Sequence, residues 1–194
     1  MVHAHPDPDS YSAALRDSAI AGLEAGGAET RMIDLYALGF KPAMNDDEHR
    51  RYEEVANEHP DPLVAEHIEH LAWAEALLFV YPTWWGTLPA MLKGWLDRVL
   101  LPSVAFKLDD TTRKVRPGLT NVRRITAITT YGAPRWQVRL LGDGGRTILG
   151  RTLRLVCHRR SRVTFLSLDQ LDGRSDIERQ HFLEEVTRKL KAIA

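Results

Sequence analysis

Cysteine is nearly missing from this chain. Cys157 stands alone, which excludes an internal disulfide framework and leaves no CxxC pair for metal or redox chemistry. Excess charge is missing too: 26 basic residues balance 26 acidic ones, so no overall bias favours nucleic acid or an anionic membrane. No apolar run approaches membrane-spanning length, and the N-terminus lacks a basic region followed by a signal-peptide core. These absences set the expectation of a cytoplasmic protein with no membrane insertion and no nucleic-acid partner. No GxGxxG opens a βαβ unit, and there is no Walker A sequence. Repeats, low-complexity tails and interdomain linkers are also lacking. What remains is 194 residues, 44% of them apolar, enough for one domain spanning 1–194 with a sizeable core.

The apolar pattern alternates between two periods. Met1 to His5 reads as a short first strand, and Ser12 to Ala25 as a helix with Leu15, Ala19 and Leu23 on one face, ended by Gly26-Gly27. Thr30 to Leu35 is a second strand. A polar excursion from Tyr36 to Asp61 follows, with a short helix expected at Asp47–Asn57. Leu63 to Trp73 is helical, Ala76 to Tyr81 is the central strand, and a helix begins near Pro89. A second loop is expected over Lys107 to Asn121. Arg124 to Thr130 and Arg162 to Leu168 are strands, Thr147 to Val156 is a helix, and Ile177 to Ile193 marks the last one. Strands alternating with helices imply an α/β fold with a mainly parallel sheet covered on both faces. Ligands in such sheets bind beyond the carboxyl ends of the strands.

Three turns fall at such ends. In the first, His5-Pro-Asp-Pro-Asp-Ser10-Tyr11-Ser12 runs into a helix, whose free amides and serine hydroxyls suit a phosphate. Serine is equally common as an N-cap, so capping competes with phosphate binding. The second is Pro82-Thr83-Trp84-Trp85-Gly86. Its indoles could lie against a flat ring such as a flavin, with Gly86 permitting close approach, or they could fill a packing junction or subunit interface. Trp95, on the apolar face of the following helix, reads as core or interface packing. The third turn, Thr129-Thr130-Tyr131-Gly132, offers amides and hydroxyls to a cofactor's polar edge, with Tyr131 bordering the substrate space.

Other candidates fare worse. Gly142-Asp143-Gly144-Gly145 resembles a phosphate loop only in glycine content. His67 and His70 beside Glu66 and Glu69 read as a solvated helix face rather than a metal site, and His3 and His5 share a strand face without further ligands. Cys157 reads as buried packing, and His158 to Arg162 as solvated basic surface.

Taken together, Tyr81-Pro-Thr-Trp-Trp-Gly86, the following Leu88-Pro-Ala-Met-Leu-Lys-Gly-Trp-Leu-Asp-Arg-Val99, His5…Ser10-Tyr11-Ser12 and Thr129-Thr130-Tyr131-Gly132 closely resemble the flavodoxin-like NAD(P)H:quinone oxidoreductase family. The resemblance covers nearly the whole chain. It implies a three-layer sandwich with a five-stranded parallel sheet, and a homodimer with active sites near the subunit interface. It also implies His5, Ser10, Tyr11 and Ser12 around flavin phosphate, Pro82 to Gly86 beside the isoalloxazine ring, and Thr129 to Gly132 along its other polar boundary. FAD is expected over FMN, NAD(P)H is the implied electron donor, and a quinone or similar planar compound is the acceptor. Tyr131 is the one side chain nominated for a catalytic part, stabilising charge that develops on flavin or acceptor.

The alternative is a flavin-binding electron-transfer or regulatory module without significant quinone reductase activity. The extra 36–61 segment and the lack of acidic excess favour the enzyme. One departure stands out. Family members carry several more apolar residues before the motif histidine, so either the first strand is stunted or the start lies upstream.

Overall fold

A computed structural model describes residues 1–52, 60–109 and 114–194. Five strands form one parallel sheet: β1 (Val2–His3), β2 (Ile33–Asp34), β3 (Ala76–Pro82), β6 (Arg124–Thr130) and β7 (Arg162–Leu168), in the order β2-β1-β3-β6-β7. This is the flavodoxin-like arrangement, with the expected short first strand. The three long strands are in continuous register, Ala76 opposite Arg124 and Arg162, through Pro82 and Leu168 opposite Thr130.

Alternation along β3 shows how the layers arise. Leu78 and Val80 point to one face, where they pack with Leu15 and Ala19 of α1 (Tyr11–Ala25) and Phe182, Val186 and Leu190 of α8 (Asp176–Lys191). Leu77, Phe79 and Tyr81 point to the other, against Leu71 of α3 (Pro62–Trp73) and Leu92 and Trp95 of α4 (Ala90–Val99). A strand buried on both faces needs an unbroken apolar run, and LLFVY supplies it.

The 36–61 excursion is pinned to α4. Its described portion contains α2 (Asp46–Arg50), started by an Asn45–Glu48 capping box. Glu48 is buried against the equally buried Arg98, which also binds Asp61 and the Lys41 carbonyl. Gly94 lies so close to Pro42 that a Cβ would sit 2.2 Å from its carbonyl oxygen. The helix expected at Asp47–Asn57 is therefore Asp46–Arg50, and residues 53–59 lie outside the described set.

Several boundaries differ from expectation. Only Val2 and His3 of Met1–His5 pair as strand, and β2 is limited to the two residues that β1 can match. The stretch expected to be a loop from Lys107 to Asn121 contains an antiparallel hairpin, β4 (Phe106–Leu108) with β5 (Val115–Pro117). An unforeseen helix, α5 (Arg135–Leu141), buries no residue. The helix expected at Thr147 begins earlier, as α6 (Gly144–Thr147), continues through a π-helical stretch (Ile148–Thr152) and ends as α7 (Leu153–Val156). Trp95 and Cys157 are buried as expected, and burial pushes the Cys157 thiol up to about 12, which leaves it unreactive.

Candidate active site

The first turn folds on itself before entering α1. The Asp7 amide donates to His5 Nδ1 at 3.1 Å, and the Asp9 amide to Asp7 Oδ1 at 2.9 Å. Ser10 is the N-cap, and its Oγ accepts from the Ala13 amide. That cap and the Ser10 carbonyl satisfy the third and fourth amides of the helix, whereas the first two, Tyr11 and Ser12, precede any intrahelical acceptor. These amides and the positive helix end are donors of the kind that can receive an anion. The Tyr11 hydroxyl instead donates to the Arg179 carbonyl at 2.8 Å, tying the turn to α8.

The second turn carries the strongest anomaly. Trp84 and Thr87 exchange backbone hydrogen bonds, and the two residues between them, Trp85 and Gly86, have φ of 49° and 71°. Glycine adopts that region freely, but a bulky side chain there is held at a cost of about 1–3 kcal/mol. Trp85 is also fully exposed, so packing repays none of it. Trp84 is 41% exposed, and its ring centre lies 6.1 Å from that of His5. The first and second turns therefore share one rim.

The third turn closes the other side. Thr83 Oγ1 lies 2.8 Å from Thr129 Oγ1, and the Thr83 amide donates to the Thr130 carbonyl. Both Thr129 and Thr130 are buried. The buried Tyr131 hydroxyl donates to Asp143 Oδ2 at 2.5 Å; burial and this bond push its pKa up to about 12. Asp143 also caps α6 and pairs with Arg146 at 3.2 Å, and the Gly144 amide donates to the Gly86 carbonyl. The Gly142–Gly145 loop, set aside on glycine content, thus buttresses the second and third turns. An Asp preceding Gly-Gly-Arg-Thr at a helix start was the signal for it.

All thirteen nominated residues therefore lie on three linked turns, with the Tyr11 ring directed to α8. His67 requires a correction. It is buried, not solvated, because Trp95 Nε1 donates to its Nδ1 at 3.1 Å. Among the described residues no group of three or more His, Cys, Asp and Glu is placed to hold a metal ion. A cavity of about 570 Å³ lies away from these turns at the amino end of the sheet, lined by Ile33, Leu71, Trp73, Leu77 and Arg124. It opens where Ala76, Leu77 and Leu78 run beyond Val2, the first paired residue of β1.

The donor set fits a phosphate-bearing planar cofactor: two helix-start amides and serine hydroxyls for the phosphate, and exposed indoles on a glycine-ended turn for a ring. Residues 1–189 match the family described as having a flavodoxin-like fold. Rat NAD(P)H dehydrogenase [quinone] 1 is 30% identical over 149 residues, 69% of this chain and 53% of that protein. Human ribosyldihydronicotinamide dehydrogenase [quinone] is 27% identical over 127 residues, 56% and 53% of the two. The matched part spans about half the length of these curated relatives. Among solved structures, Smu.1420 from Streptococcus mutans superposes with a TM-score of 0.84 at 26% identity, covering 98% of this chain and 97% of that one. An NAD(P)H:quinone oxidoreductase from Methanothermobacter marburgensis gives 0.77 at 24% identity, covering 99% and 93%, a likeness of fold. The chain belongs to the flavodoxin-like fold family, and within it is similar to the NAD(P)H dehydrogenases [quinone].

Proposed function

We propose that the protein is an NAD(P)H-dependent oxidoreductase that binds a flavin, FAD in preference to FMN, across the three turns and reduces quinones or similar planar acceptors. The observation that carries this reading is Trp85: a fully exposed tryptophan at positive φ, on a turn linked to two others at the strand ends. Backbone strain of that kind persists where surrounding structure holds it for a purpose.

His5, Ser10, Tyr11 and Ser12 would hold the phosphate, through the amides of Tyr11 and Ser12 and the serine hydroxyls. Pro82, Thr83, Trp84, Trp85 and Gly86 would flank the ring, and Thr129, Thr130, Tyr131 and Gly132 would border its polar edge. The flavin would supply the redox chemistry, hydride from a nicotinamide and two electrons to the acceptor, and these residues would supply placement and electrostatics. Tyr131 acts with its hydroxyl fixed on Asp143. It holds the 142–146 loop against the flavin turn, and to stabilise charge developing there its one hydroxyl proton would have to turn from Asp143 to the flavin or acceptor.

A homodimer completes the proposal. Trp136, Leu140 and Leu141 of α5 are all exposed, on a helix leading directly into the loop that braces Gly86. A second copy covering this patch would wall the site and bury apolar surface otherwise left in water.

Purified protein loaded with FAD should bleach its flavin absorbance on adding NADH or NADPH and recover it with a quinone. A fully loaded sample that bleaches with neither nucleotide would refute the enzyme and leave the flavin-binding electron-transfer module.

A further inference from the structure

His3 forms the middle of a chain of three residues, buried at His3 and Ser12 and half-buried at Asp34, that the turns alone do not explain. It is 1% exposed, and its Nδ1 lies 3.0 Å from Asp34 Oδ2 at the end of β2. Asp34 Oδ1 in turn accepts from the amides of Tyr36 and Ala37, and Arg16 reaches Oδ2 at 3.3 Å. On the other side, His3 Nε2 lies 3.4 Å from Oγ of Ser12, itself buried at the second position of α1. Burial opposes ionisation of Asp34, but the bonds from His3 and the Ala37 amide outweigh it and hold the carboxyl below its usual range. An ionised Asp34 can only accept, so it fixes the proton of His3 on Nδ1. In neutral His3, Nε2 is then an acceptor, and the Ser12 hydroxyl must donate inward to it.

That direction is wrong for a phosphate oxygen, which needs Ser12 to donate outward. A second proton on His3 resolves the conflict, because Nε2–H then donates to Ser12 Oγ and frees the hydroxyl hydrogen. We propose that His3 sets the direction of the Ser12 hydroxyl, so that binding a flavin phosphate at the start of α1 takes up one proton from solvent. The proton comes to rest on His3 Nε2, and no covalent bond forms or breaks in the flavin. Burial lowers the pKa of His3 despite Asp34, so the free protein holds it neutral near pH 7, ready to accept a proton. The charged and titratable groups facing it are Asp34 from β2, Arg16 from α1 and His5 from the turn that follows β1. Its partner across β3, Val80, carries no charge.

This inference rests on the flavin reading but is tested by heat and nitrogen shifts rather than turnover. FAD suits the test because its diphosphate has no group titrating near neutrality. Calorimetric titration of FAD at pH 7, in two buffers with different ionisation heats, should show uptake approaching one proton per site. Affinity should tighten up to about tenfold for each pH unit lowered in that window. In His3→Gln the FAD should still bind, with the uptake gone, and Ser12→Ala should lose both the uptake and part of the affinity. Nitrogen-15 spectra of the wild-type imidazole provide an independent readout if His3→Gln fails to fold: Nε2 should gain a proton when FAD is added. Binding without proton uptake, or uptake that survives His3→Gln and vanishes in His5→Gln, would overturn the proposal. No binding of FAD at all would instead remove the flavin reading and this inference with it.

Discussion

Two tryptophan–histidine pairs occupy this molecule under opposite conditions. Trp95 and His67 are both 1% exposed, and the indole N–H is satisfied by the imidazole. Trp84 and His5 sit on an open rim beside Trp85, whose ring has no covering and whose backbone is strained. Residue type is the same, yet core packing accounts fully for the first pair and not for the second. A buried indole gains from its area and needs a partner for its N–H. An exposed one held at positive φ gains neither, and that uncompensated strain is what motivates the proposal that Trp85 meets a ligand. That contrast is the physical basis for assigning the strand-end turns to a ligand.

The contrast can be broken most forcefully at Trp95. Trp95→Ala should cost about 3–5 kcal/mol in denaturant unfolding, because it leaves a cavity and strips His67 of its donor. A cost under about 1 kcal/mol would show that Trp95 packs no better than Trp85.

The buried pair should also respond to acid. Burial lowers the His67 pKa to about 4, against 6.5 in the unfolded chain, so the unfolded state binds the extra proton first. Stability is therefore full above about pH 6.5 and falls as pH drops toward 4, by on the order of 3 kcal/mol from this group. His67→Gln should flatten that part of the stability profile. An unchanged slope would mean that His67 is not the group responsible.

Next in size is the open rim. Trp85→Ala should leave unfolding free energy within about 0.5 kcal/mol of wild type. It should weaken FAD by roughly 5–150-fold, taking the 1–3 kcal/mol of base–aromatic stacking as the guide. Equal FAD affinity in Trp85→Ala and Trp84→Ala, matching wild type, would return both rings to a surface role. The smallest effect belongs to Gly86→Ala. No atom lies within 4 Å of the added Cβ, so only the positive φ resists, at about 1–2 kcal/mol of stability. A neutral result would show that the turn relaxes freely.

The same contrast marks what the sequence could reveal. β3 was legible because a strand buried on both faces demands a continuous apolar run, and β6 and β7 were legible from short runs rich in apolar and β-branched residues; the residues at their carboxyl ends follow directly. Trp95 was legible from its helical spacing with Leu92 and Leu96. His67 was not, since its neighbours Glu66 and Glu69 mark a polar face and its partner lies 28 residues away. α5 escaped notice for the opposite reason: none of its residues is buried, so Arg135–Leu141 carries no stripe against the core. Asp143 and His3 act through partners on other elements, Tyr131 and Asp34, which no local pattern records. The positive φ of Trp85 is likewise a property of the folded turn.

The proposed ligand sits at the carboxyl ends of the strands, although a cavity of about 570 Å³ lies at the amino end. Backbone hydrogen exchange with and without FAD tests this most directly. The account predicts added protection in residues 5–12, 82–86 and 129–132. Protection concentrated instead around 29–31, 70–78 and 123–124, with the three turns unchanged, would contradict it.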